Sequence, residues 1–159
     1  MLLIKNIVVS IICLVCIPKS THIEDVMTLN FKQESETQLS LNISLTKDYM
    51  SVLKMFNSNV SSENQSLLVH QMLKNAIEVI INEKNYDLNL NTIISNDRGY
   101  NIQYTIIGLK KEVKSIKVNT QELIQGFDNH AQIAVKLNLN NRNRLFKIKK
   151  ERESISIYY

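Results

Sequence analysis

The chain is poor in the residues that build phosphate loops, disulfide frameworks and thiol chemistry. Its 159 residues include three glycines, one proline and two cysteines. The glycines, Gly99, Gly108 and Gly126, stand apart, so no glycine-rich loop can cradle a phosphate. No G-x-S-x-G run marks a nucleophile elbow. The three histidines, His22, His70 and His130, are far apart, and no His/Cys/Asp/Glu group has metal-ligand spacing. No cofactor or metal is therefore expected. Both cysteines, Cys13 and Cys16, lie in the first apolar run. If that run is removed, the remaining domain has no thiol pair and must be held by its core. Internal repeats, low-complexity tracts and linkers are also absent, which leaves one domain of ordinary size.

What is present begins at the N-terminus. Met1 to Lys5 carries one positive charge, and Ile7 to Ile17 is then apolar apart from Ser10. That length suits the apolar core of an export signal and falls short of the roughly 20 residues that cross a bilayer. Residues 1–20 are read as an export signal and residues 21–159 as a single α+β domain. The alternative is an uncleaved anchor in which Met1 to Ile17 spans as a short helix. Cys16 is a candidate lipid anchor, although Val15 before it is larger than the small residue a lipoprotein peptidase prefers. Ser20 and Pro18 would serve ordinary cleavage. The expected location is exported: periplasmic or outer-membrane associated in a bacterium, secreted otherwise.

Hydrophobic content of 44% and charged content of 21% are globular values. "TQLSLNISLT" alternates, with Leu39, Leu41, Ile43 and Leu45 on one face and Ser40, Asn42, Ser44 and Thr46 on the other. A period of two argues a half-buried strand. "VMTLNF" reads as a weaker strand, and "YMSVLKMF" (Tyr49 to Phe56) as a strand or short helix. Ser62 with Gln65 has the form of a capping box. Val69, Met72, Leu73, Ala76, Ile77 and Ile80 then make one apolar stripe at helical spacing. "NDRG" (Asn96 to Gly99) is a turn. Tyr100, Ile102, Tyr104 and Ile106 alternate after it, as do Ile116 with Val118 and Ala131, Ile133, Val135, Leu137 with Leu139. "NNRN" is turn-like, and "LFKIKK" and "SISIYY" alternate again. The expected fold is α+β: an antiparallel sheet of about five to seven strands with one long amphipathic helix packed on one face.

The net charge is +4. Arg142, Arg144, Lys147, Lys149, Lys150 and Arg152 fall close together and are candidate anionic-ligand residues. In an extended strand Lys147 and Lys149 face one side, and Phe146 and Ile148 the other. Such a basic face suits phosphate of a lipid head group or an anionic membrane. It equally suits a solvated strand that protects a sheet edge. An export signal and the lack of base-stacking aromatics argue against nucleic acid. His130 near Asp128 could form a base–carboxylate pair, but turn residues before a strand explain both.

"CIPKS" at Cys16, "HQMLKNAI" at His70 to Ile77, "YNIQYTI" at Tyr100 to Ile106 and "AQIAVKLNL" at Ala131 to Leu139 follow one another in a familiar order. In these stretches the chain resembles the lipopolysaccharide-assembly lipoproteins. The resemblance implies a non-catalytic envelope protein, anchored by Cys16, with an anionic lipid or an outer-membrane protein as partner. Two other readings stand beside it. One is a soluble secreted binding or inhibitory protein directed at a host. The other is a small secreted hydrolase whose carboxylates the fold would have to bring together.

Overall fold

The computed structural model describes residues 25–46, 62–109, 112–127, 129 and 131–159. Cys13, Cys16, His22, Asp128, His130 and the stretch Tyr49 to Phe56 lie outside these residues, as does the side chain of Ser62 in the expected capping box. Among these residues ten strands and two helices follow in the order β1 Asp25–Ser35, β2 Gln38–Thr46, α1 Ser62–Ala76, β3 Glu78–Ile81, β4 Lys84–Tyr86, β5 Asn89–Asn96, β6 Gly99–Ile107, β7 Ser115–Asn119, α2 Gln121–Gln125, β8 Gln132–Leu139, β9 Arg142–Ile148 and β10 Ser154–Tyr158. They form a six-stranded sheet, β5-β6-β2-β1-β8-β9, and a four-stranded sheet, β10-β7-β3-β4.

This corrects the expected α+β fold of one sheet under one long helix. Among the described residues the protein is mostly strand, 62% against 16% helical, with two sheets, and neither of its two helices is the long one expected. The difference arises at "IEVII", Ile77 to Ile81. The Ile77 amide still donates to the Leu73 carbonyl (3.0 Å) and closes the last helical turn. Beyond it stand three β-branched residues, which lose rotamer freedom in a helix and fit a pleated surface. Val79 and Ile81 alternate into the core while Ile80 points the other way. The helical spacing that linked Ile77 to Ile80 is thus a coincidence of two periods. The run opens the second sheet instead of extending the helix.

Alternation does fix the inner face of the larger sheet. Leu29 and Phe31 of β1, Leu39, Leu41 and Ile43 of β2, Ile102, Tyr104 and Ile106 of β6, and Ile133, Val135 and Leu137 of β8 are all buried. At about 1.5–3 kcal/mol for each large side chain removed from water, these rows dominate folding. β1 pairs with β2 antiparallel and with β8 in parallel, so the first described strand and a strand more than a hundred residues later meet in the middle of one sheet. All other pairings are antiparallel. The buried residues of both sheets join Val69, Leu73 and Ile77 in one hydrophobic cluster. Helix α1 lies over β6: the His70 ring stacks on Tyr104, with Nδ1 and the Tyr104 hydroxyl 3.0 Å apart.

The hairpins are set by asparagine. Asn82–Glu83 and Asn140–Asn141 all have positive φ, the geometry of two-residue turns whose twist matches that of the strands. Asn82 also clasps the approach to β7. Its Nδ2 donates to the Glu112 carbonyl (2.8 Å), and its Oδ1 accepts from the amides of Lys114 (2.8 Å) and Ser115 (3.0 Å).

Candidate binding face

The outer face of the six-stranded sheet is built from the residues between the buried ones. Strand register aligns them in rows that cross all six strands. One row reads Ile94, Asn101, Ser44, Thr28, Ala134, Lys147. The next reads Thr92, Gln103, Asn42, Asn30, Lys136, Leu145, and a third reads Asn89, Thr105, Ser40, Lys32, Asn138, Asn143. Amides and hydroxyls dominate, and every formal charge within the rows is a lysine. Several of these groups are held in place. Ser44 donates to Asn101 Oδ1 (2.9 Å), and Asn91 donates to the Thr105 hydroxyl.

Among the described residues, acids touch this face only at its margin. Lys147 is paired with Asp25. Lys32 is paired with Glu34 (3.0 Å), which also accepts from the buried Ser40 hydroxyl (2.8 Å). The Ser40 hydrogen bond, followed by that from Lys32, holds the Glu34 carboxyl below its usual range. Lys136 stands at an exposed position of β8 and pairs with no acid among the described residues. Two shallow depressions of about 340 Å³ each open on the face. One is bounded by Thr28, Ser44, Asn101 and Arg98. The other is bounded by Asn30, Lys136, Asn138, Asn143 and Leu145.

The six basic residues expected to act together are divided by the fold. Arg142 and Arg144 align with the inward residues Leu139 and Leu137, and the Arg144 guanidinium lies over the Tyr159 ring at 5.1 Å. Burial pushes the Tyr159 hydroxyl up in pKa, while Arg144 and then Arg142 pull it down. Lys147 sits on the outer face. Lys149 and Arg152 bridge each other across the turn that follows β9, and Lys150 donates to Asn129 Oδ1 (3.0 Å). Of the six, only Lys147 shares the rows described above. Sequence reasoning missed Lys32 and Lys136. The signal for them was the polar half of the same alternation that revealed the core.

Burial pushes the Tyr104 hydroxyl up to about 12. Its partner His70 is shifted below its ordinary value of 6.5, first by burial and then by Lys74. The pair joins helix to sheet. Because folded His70 binds its proton less readily than unfolded His70, stability falls as pH drops through 6.5 and levels off below the folded pKa. His70→Gln should flatten that part of the profile. Denaturant midpoints measured from pH 7.5 to 5 check it, and an unchanged slope would contradict it.

No family model matches the chain, and no curated protein is significantly similar to it. Among the described residues, no helix is long and apolar enough to cross a membrane.

Proposed function

We propose that this protein is an exported, non-catalytic binding protein whose polar sheet face recognises an anionic, hydroxyl-rich head group such as a phosphorylated sugar. The supporting observation is the set of rows across six strands, in which amides and hydroxyls surround Lys32, Lys136 and Lys147. Side-chain amides and hydroxyls both donate and accept, as sugar hydroxyls do. A lysine among them supplies the charge that phosphate needs. The face is open and not a deep pocket, so each head group is held weakly. Many copies displayed on one lipid layer compensate through effective concentration. The envelope setting suggested by the N-terminal run and by the family resemblance fits such a ligand.

The test compares vesicles of phosphatidylcholine with vesicles that also contain a phosphorylated glycolipid, in cosedimentation at fixed salt. The wild type should bind the second and not the first. Lys32→Gln combined with Lys136→Gln should weaken binding about 30-fold, from about 1 kcal/mol for each basic residue near an anionic surface. Lys149→Gln combined with Lys150→Gln should leave it nearly unchanged. The reverse pattern would move recognition to the turn after β9. A free phosphorylated sugar that competes fully would favour a soluble ligand over a membrane-displayed one.

A further inference from the structure

The four sheet edges are not alike. The β9 edge carries Arg142, Arg144 and Lys147. β4 has three residues, one of them Lys84. β10 lies beside β9, where Arg144 covers Tyr159. The remaining edge, β5, runs for eight residues, "NLNTIISN", without a charge or a proline, and seven of the eight are exposed. Natural edges are normally blunted by charge, proline or brevity, because an open row of backbone donors and acceptors is a template for another strand.

The β5 edge is also where exposed apolar side chains gather. Ile94 is 57% exposed and Leu90 40%. Helix α1 packs beside β5 and adds Leu67 at 53% and Leu68. These four are a majority of the seven large hydrophobic residues that stand exposed among the described residues. A strand pairing here therefore gains backbone hydrogen bonds and covers apolar surface on both sides of the sheet.

We infer that β5 is a strand-pairing interface for a second copy of this chain, antiparallel about a two-fold axis. Charge selects this occupant. Self-pairing of β5 sets only neutral residues against neutral residues, whereas the same operation on β9 would oppose arginines and lysine to themselves. An antiparallel strand pair about a two-fold axis is isologous and closes at two copies, so it does not propagate into a filament. The irregularity at Asn91 breaks the ladder near Leu90, and Thr92–Asn96 is the regular stretch that pairs. The two larger sheets then join edge to edge, and α1 of one copy meets α1 of the other over the join. The outer polar rows of both copies continue across it.

Sedimentation equilibrium of the full chain at micromolar concentration should give twice the monomer mass. Thr92→Lys combined with Ile94→Lys sets like charges across the join and should give a monomer with an unchanged circular dichroism spectrum. Leu145→Lys, on the opposite edge, should remain a dimer. Hydrogen exchange supplies an independent readout should the double variant fail to fold. Those amides of Thr92–Asn96 that are not bonded to β6 should be protected in the wild type and lose protection on dilution. A wild-type monomer, a dimer that survives the double substitution, or β5 amides that exchange freely within the dimer would each overturn the inference. So would protection of β5 that appears only when a different protein is added.

Discussion

Gly99→Ala should destabilise the protein by roughly 2–4 kcal/mol, the sum of backbone strain and overpacking against a rigid neighbour. Gly99 has φ of +149°, a conformation that side-chain-bearing residues rarely adopt. A Cβ placed there would meet the Leu45 carbonyl oxygen at 2.0 Å. That oxygen belongs to the backbone of β2, paired directly with β6, and cannot swing aside. The hairpin is otherwise well built, because Asn96 Oδ1 accepts from the amides of Arg98 (2.9 Å) and Gly99 (3.1 Å). The penalty therefore falls on the β2–β6 join and not on the turn. Urea denaturation measures it directly. A loss below about 0.5 kcal/mol, the range of an ordinary surface substitution, would contradict the close approach of these two strands.

Phe31→Ala should cost about 3–5 kcal/mol, as removal of a fully buried phenylalanine commonly does. Phe31 lies in the middle of β1, fully buried, opposite Leu41 of β2 and Leu137 of β8. Its ring lies where the antiparallel β1–β2 pair and the parallel β1–β8 pair share a strand. Domains of this size have total stabilities of about 5–15 kcal/mol, so such a loss leaves little margin. The expected record is a large fall in the urea midpoint with an unchanged slope. A fall of less than 1 kcal/mol would place β1 at the margin of the core.

The strands that could be read from the sequence are those with one wet face and one dry face. β2, β6 and β8 alternate cleanly because one side of the larger sheet faces the core and the other faces water. β5 could not be read this way. It is an edge strand exposed at nearly every position, so "NLNTIISN" shows no period. The second sheet was obscured for a different reason. Its strands have three to five residues: β7 and β10 still alternate in the sequence, but β3 follows directly on the helix, β4 has three residues, and nothing local sets these strands apart from the larger sheet. The parallel pairing of β1 with β8 joins residues more than a hundred positions apart, and no local pattern encodes it.

The candidate site was legible in part. Ser40, Asn42 and Ser44 appear in the sequence as the polar half of a strand. Their significance depends on which strands lie beside them, and register supplies that. The basic cluster misleads because closeness along a chain is not closeness on a surface. In an extended strand neighbouring residues point to opposite faces, so Arg144 and Lys147 separate although they are three positions apart. Lys32 and Lys136 are far apart in sequence, yet they fall in adjacent rows on the adjacent strands β1 and β8.

The central claim is that the polar face of the six-stranded sheet is the recognition surface. It is tested most directly by following backbone amide resonances while a phosphorylated disaccharide is added. The expected result is saturable shifts confined to β1, β2, β6 and β8, strongest around Asn30, Asn42, Lys136 and Asn138. Saturable shifts centred on Lys149 to Arg152 or on the four-stranded sheet, with the rows of the larger sheet unmoved, would contradict it.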